Sequence, residues 1–523
     1  MMNTIRLNIR FFDVGAAFLI AFLLGLATIF FATESDSGYF WLGAKLVREG
    51  YVPYLDFFQF QYPPGELYFF APFVNLFPSI ITQRILFVII LVGAIFWAGL
   101  LLSNNLKIRM QSFASTALVL LFSNFIIVAQ LIQLGSKTAV TAASLTLMTV
   151  YVYRYLYGLG NQIHNTFGLI FFTFLFSSFK LTHLFIVPIS FSLIFIFSQT
   201  SKQAVKVKAT QALIGAFLIS GAFTALFFLE PGGYIKEQAY IALTMNFPHP
   251  TSRFSFINIA NAILILTEYF GVIAIYLFIL LKNDEEKNWS FLTVFLIFIF
   301  TYVFVTTFSS PGFNLSYIDA SMLPLTILVA SERSKLLSKS KKICYRGFWG
   351  LIALIIILNF VIASRRTYSV ELFGHPALYN PSESITSYGG IGQQNDFNKA
   401  ANFIKQFSNK YDPWDQLVYV ALRYPQPVLM ANKKMSFFSV SGNNFYQIPM
   451  NVNFAQKNHI ISDEVLWDLM CSDKILAFVV SASMDMDRLE QINHMHHDQL
   501  KLRLLFSNNT INIVKMEKKV HKK

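Results

Sequence analysis

Apolar runs long enough to cross a bilayer recur along most of this chain, and that repetition restricts the fold more than any other feature. The first, "FFDVGAAFLIAFLLGLATIFFAT", covers 11–33. Similar runs follow at 84–103, 112–131, 137–153, 165–179, 181–199, 210–229, 257–281, 289–308, 316–331 and 347–364. A hydrocarbon core takes about 20 residues of helix, and unpaired backbone amides are too costly in lipid for any open structure. The pattern therefore predicts a polytopic α-helical membrane protein with about eleven transmembrane helices. Composition agrees: 55% of the 523 residues are apolar and 13% are charged, about half the charge of an average soluble domain.

The basic N-terminus resembles a signal peptide, but its apolar run exceeds the usual h-region and no clear small-residue cleavage site follows, so it reads as a retained first span. Lysine and arginine set the orientation. With the N-terminus inside, the inner loops collect sixteen of them, and "ERSKLLSKSKKICYRG" (332–347) is the strongest inside marker. The outer loops before residue 365 hold seven: Lys45, Arg48, Arg84, Lys137, Lys180, Lys236 and Arg253. This asymmetry follows the positive-inside rule and puts the loop 34–83 and everything after 364 outside. The net charge of +13 sits in short loops and the C-terminal tail, with no basic aromatic-interleaved patch, so nucleic acid is not an expected partner. Cys344 and Cys471 fall on opposite sides of the membrane, which excludes a structural disulfide and a cysteine metal site.

Beyond residue 365 the pattern changes. "DFNKAANFIKQF" places Phe397, Ala400, Ala401, Ile404 and Phe407 at helical spacing. "QLVYVA" (416–421) and "KILAFVVSA" (474–482) read as strands, and "LRLLFSNNTINIVKM" reads as a hairpin turning at Asn508–Asn509. The division expected is a membrane domain over 1–364 and an extracytoplasmic α/β domain over 365–523.

The first outer loop is unusual for its acids. Glu34, Asp36, Asp56 and Glu66 stand among Tyr39, Trp41, Tyr51, Tyr54 and Tyr62, with rigid points at Pro53, Pro63 and Pro64. "SGYFWLGAKLVREG" reads as an amphipathic helix able to lie along the interface, with Tyr39, Leu42, Leu46 and Val47 on one face. Carboxylates beside such a helix suit proton abstraction from an attacking hydroxyl or amine, or binding of a cation. The competing reading is a packed loop whose acids are solvated. Lys180, in "FSSFKLTHLFIVP" (176–188), interrupts apolar sequence, and such a lysine either snorkels to the headgroups or holds an anion. Lys236, His249 and Arg253 in the loop 230–256 either belong to a solvated interfacial loop or offer a cation for a phosphate.

The order Asp36, Tyr39, Ala44, Gly50-Tyr51, Pro53-Tyr54, Asp56-Phe57 and Tyr62-Pro63-Pro64-Gly65 resembles the first outer loop of the GT-C glycosyltransferases. These are polytopic enzymes using polyprenyl-phosphate-linked sugars, among them protein O-mannosyltransferases and the lipid A aminoarabinose transferase. The resemblance implies a glycosyltransferase with Asp36 as catalytic base. Where the mannosyltransferases carry Asp-Glu, this chain has Asp36-Ser37, which leaves Glu34 as a rival. Asp56, Tyr39 and Tyr62 become pocket residues, and Lys180 and Arg253 contacts to the lipid phosphate. "PGFNLSYIDASMLP" (311–324) resembles a late family element, with Ser316 where histidine is common, and suggests Tyr317 and Asp319 as pocket residues. The implied partners are a polyprenyl-phosphate-linked sugar, an acceptor that is a glycolipid, polysaccharide or protein, and the bilayer. The implied location is a bacterial inner membrane, N-terminus cytoplasmic and C-terminal domain periplasmic. No cofactor is expected, and a divalent metal stays undecided.

Two other classes compete. A transporter or flippase of lipid-linked sugars would couple its acids to protons, but these acids cluster in an outer loop and no inverted repeat is visible. A non-catalytic envelope scaffold would leave the C-terminal domain as the working part. Three further motifs read as decoys. Asp485-Met486-Asp487 imitates a nucleotide-sugar DxD, but outside the membrane there is no nucleotide-sugar pool. His494, His496 and His497 lack clean metal spacing. "GGIGQQ" (389–394) has no preceding strand and reads as a turn.

Overall fold

A computed structural model describes residues 35–50, 65–77, 80–106, 136–156, 159–179, 183, 214–215, 218, 323–324, 327, 390–422, 424, 426–434, 463–482 and 486–519. The chain divides into two compact units: 1–28, 84–226 and 249–382 form one, and 29–83, 227–248 and 383–523 form the other.

Three long helices are described from the expected spans. Two shorter helices are also described: α1 (Ser35–Arg48) and α2 (Gly65–Phe70), the latter followed by a 3-10 turn over Ala71–Phe73. The long helices are α3 (Ile80–Leu106), α4 (Ser136–Leu156) and α5 (Gln162–Ser178), at the positions of the second, fourth and fifth expected spans. The other expected spans lie outside the described residues, apart from scattered positions. Among the described residues one stretch, Thr82–Leu102, is long and apolar enough to cross a membrane by itself. Its Ile85 and Ile89, and Ile163, Phe167 and Phe171 on α5, form exposed apolar stripes at four-residue spacing. In water such stripes carry an unfavourable hydration cost; against lipid they carry none.

Every residue of α4 from Ala139 to Arg154 is buried. Its hydroxyls avoid the cost of burial by donating to carbonyls one turn back: Ser144 to Val140, Thr146 to Ala142 and Thr149 to Leu145, each at 2.7 Å. Asn161 caps α5, its side chain accepting from the Ile163 amide at 2.9 Å. Gly168 of α5 lies so close to the Tyr151 ring that no side chain fits between the helices there. Arg154, counted in sequence as an inner-loop charge, is buried and joins all three helices. Its Nε donates to Asn165 Oδ1 at 2.9 Å and its Nη1 donates to the Leu101 carbonyl.

In the other unit, the C-terminal residues build a three-layer α/β domain. Its elements are α6 (Gly390–Tyr411), β1 (Val418–Ala421), α7 (Gln426–Ala431), α8 (Asp463–Cys471), β2 (Ile475–Ser481), α9 (Met486–Met495), β3 (Leu500–Ser507) and β4 (Ile511–Lys518). The sheet order is β1-β2-β4-β3, with β1 and β2 parallel and the other pairs antiparallel. Period-two alternation divides the strand residues between two cores. Tyr419, Ala421, Val479 and Ile513 face α6 and α7, while Val420, Phe478, Val480 and Val514 face α8 and α9.

The helix, both strands and the hairpin stand where the sequence puts them. The hairpin turn is fixed by Asn508, whose Oδ1 accepts from the amides of Thr510 (3.0 Å) and Ile511 (2.8 Å). "GGIGQQ" is not a turn: Gly390 onward forms the start of α6. The amphipathic run that follows propagates the helix back through it, and the two glycines inside are tolerated at about 1 kcal/mol each.

Candidate active site

Two helices within the acid-rich stretch pack together. α1 opens at Ser35, which puts Asp36 in its first turn, and Tyr39 stands one turn on; the side chains of both lie outside the described residues. Amide dipoles at such a helix start favour negative charge. After Pro63-Pro64, which bar helix at the residue before them, α2 begins at Gly65 with Glu66 in its first turn. Trp41 of α1 packs on Phe70 of α2, ring centroids 5.6 Å apart. A β-carbon on Gly43 would stand 2.7 Å from a Leu67 methyl, so glycine is what lets the two helices close.

This packing widens the buried surface expected of α1. Phe40, Trp41, Ala44 and Leu46 are all buried, and they span more of the helix circumference than the single apolar face read from sequence. α1 packs against protein on two sides because it has apolar residues to bury on both, while Arg48 and Glu49 stay exposed.

Glu34, Asp56, Tyr62, Lys180, Arg253 and Tyr317 lie outside the described residues, as do Lys236, His249 and Asp319. His183, just beyond α5, is buried, with its Nδ1 2.8 Å from the Phe176 carbonyl and its ring stacked on Phe176 at 4.0 Å. It is a packing residue, as its place on an apolar helix suggests.

Two buried charges were passed over in sequence. Glu66, one of the four acids of the first loop, opens α2 as a helix-start charge and has no exposed surface. Arg84, read as a loop cation, is 2% exposed within α3. Buried charges are kept only where other groups hold them, and both residues have such interactions. The one sequence signal was position: each is the lone charge at the start of an apolar helix.

The decoys resolve locally. Met486 and Asp487 open α9, and Asp485 lies outside the described residues. His494 Nδ1 meets Asp498 Oδ2 at 3.3 Å on the surface, whereas His496 stacks flat on Trp467 at 4.1 Å. His494 and His496 thus serve different partners. Among the described residues, no three His, Cys, Asp or Glu converge as a metal site.

No protein-family model matches the sequence, and no curated protein does. Solved structures match end to end. ArnT from Cupriavidus metallidurans bound to undecaprenyl phosphate aligns over 96% of this chain and 97% of its own, with TM-score 0.59 and 10% identity. Its apo state gives 0.60 and 8% identity, covering 96% of both chains. The chain shares its fold with ArnT. Archaeoglobus fulgidus oligosaccharyltransferase AglB, in complex with an inhibitory peptide and a dolichol-phosphate, aligns at TM-score 0.46 and 12% identity, over 96% of this chain and 74% of its own.

Proposed function

We propose that this chain is a membrane glycosyltransferase that moves a sugar from a polyprenyl-phosphate donor to a cell-envelope acceptor on the outer face of a bacterial inner membrane. The observation that carries the reading is the end-to-end likeness to ArnT, whose structure holds undecaprenyl phosphate. It is joined by the first-loop residues from Asp36 to Gly65, which resemble the GT-C pattern in order and spacing.

In this reading the Asp36 carboxylate takes the proton of the acceptor hydroxyl or amine as its heteroatom attacks the anomeric carbon. The bond from that carbon to the phosphate oxygen breaks, and polyprenyl phosphate leaves with the electron pair. One displacement inverts the anomeric centre. A carboxylate serves as base only when ionised, and the first turn of α1 favours that form. Lys180 and Arg253 would carry the phosphate charge as it develops. Glu34, Asp56, Tyr39, Tyr62 and Tyr317 would line the sugar and acceptor, and the aromatic character of the loop suits a substrate that is half lipid.

The acceptor is a glycolipid, polysaccharide or protein, and mass spectrometry of envelope extracts chooses among them. Cells carrying the wild-type gene should contain a sugar-modified species that is absent both without the gene and with Asp36→Asn. Identical profiles in all three would refute the proposal.

A further inference from the structure

The C-terminal α/β domain shares a core with the first-loop helices. Phe40 and Leu46 of α1 and Leu67 of α2 belong to the same buried cluster as Phe397, Ile404, Val428 and Ala431. At its edge Lys45 Nζ donates to Asn432 Oδ1 at 3.2 Å, across 387 residues of sequence. Asn432 follows α7 with φ of +54°, a conformation asparagine tolerates better than most residues. Lys45 is also held from its own helix by Glu49 at 3.6 Å. α1 is therefore gripped by α2 along Gly43 and Trp41, and by the α/β domain near Lys45 and Leu46.

That grip begins at Phe40 and reaches farthest from Asp36 at Lys45, near the far end of a stiff rod. Lys45 lies nine residues beyond Asp36, about 13 Å along a helix rising 1.5 Å per residue. A tilt of about 5° at the gripped end moves the other end by about 1 Å, and misplacing a reacting group by that much costs on the order of a hundredfold in rate. We infer that the α/β domain positions the acid-bearing helix, with Lys45, Leu46 and Asn432 as positioning residues for the carboxylate in its first turn. The inference rests on Asp36 being the base. It gives the C-terminal domain a task in the reaction without any contact to substrate.

The test uses the full-length protein in lipid nanodiscs, with two readouts: hydrogen exchange of the α1 amides, and sugar transfer from an undecaprenyl-phosphate-linked sugar. Asn432→Gly removes the acceptor and keeps the left-handed backbone; Asn432→Asp restores an acceptor; Leu46→Ala loosens the shared core. Asn432→Gly and Leu46→Ala should speed exchange in α1. Both should lower kcat about fivefold or more while KM stays within about twofold, as expected for a group misplaced in the transition state only. Asn432→Asp should restore both readouts. Unchanged exchange in Asn432→Gly and Leu46→Ala would overturn the inference, and so would faster exchange with kcat intact. If the wild-type protein transfers no sugar, the proposed function falls instead, and the exchange readout still decides whether the domain holds α1.

Discussion

Replacing Arg154 with alanine should unlock the three long helices α3, α4 and α5. Its guanidinium donates to Asn165 Oδ1 on α5 and to the Leu101 carbonyl on α3, from a buried position at the end of α4. Hydrogen bonds to charged groups contribute about 1.5–3 kcal/mol each, so two give about 3–6 kcal/mol. The loss would be felt on the partner side too, because Asn165 is itself fully buried, although its Nδ2 still donates to the Leu159 carbonyl at 2.7 Å. Arg154→Lys keeps the charge but has one compact ammonium for two acceptors on different helices, so it should lose about half as much. The assay is a thermal ramp on intrinsic fluorescence in nanodiscs at one fixed scan rate, since unfolding of such a protein is read as an operational midpoint. The midpoint should fall on the order of 5–10 °C for Arg154→Ala, with Arg154→Lys between it and wild type. Arg154→Ala melting within about a degree of wild type would refute the reasoning, because the guanidinium would then be exchanging protein partners for water at no cost.

Three further outcomes follow from the packing and the titrating groups. Gly43→Ala should destabilise the loop by about 1–3 kcal/mol through overpacking on Leu67, and adding Leu67→Ala should recover part of that loss; strict additivity of the two in the same melting assay would show that they do not touch. Tyr419, buried with its hydroxyl 2.8 Å from Ser408 Oγ, has its pKa pushed up to about 12, chiefly by burial. The folded state therefore holds that proton where the unfolded chain gives it up. Stability should be complete below the ordinary tyrosine value and fall as pH rises through 10 toward 12, and Tyr419→Phe should flatten that alkaline fall while costing about 1 kcal/mol at neutral pH. Burial likewise raises the Cys471 thiol, so maleimide labelling at neutral pH should be slower than for a free thiol and should accelerate with pH; labelling at the free-thiol rate would place Cys471 in solvent.

What could be read from the sequence was what depends on local pattern. α3, α4 and α5 announce themselves as continuous apolar runs, and the hairpin at Asn508–Asn509 as two alternating runs around a turn dipeptide. The alternation of β1 and β2 with α6 is equally visible. Tertiary facts were not. α7 is six residues long and begins with Gln426-Pro427, and α8 spans nine; helices so short depend on the sheet beneath them. The two-sided burial of α1 depends on a domain some 350 residues away, a distance in sequence that no helical periodicity carries. Glu66, Arg84 and Arg154 look in sequence like any loop charges, because burial of a charge is decided by partners folded in from elsewhere. In the site itself, the order from Asp36 to Gly65 is written in the sequence, whereas the support under Asp36 is not.

The central claim is sugar transfer from a polyprenyl-phosphate donor with Asp36 as base, and it is tested most directly with purified protein in liposomes. A panel of labelled undecaprenyl-phosphate sugars would be supplied together with envelope lipid extract as acceptor. Wild-type protein should release undecaprenyl phosphate from one donor and move the label to the acceptor fraction. Asp36→Asn should bind the same donor and turn it over about 10²–10⁴ times more slowly, the usual contribution of a positioned base. Donor turnover at the wild-type rate in Asp36→Asn would contradict the assignment and move the role to Glu34 or Asp56; binding without turnover across the whole panel would contradict the account itself.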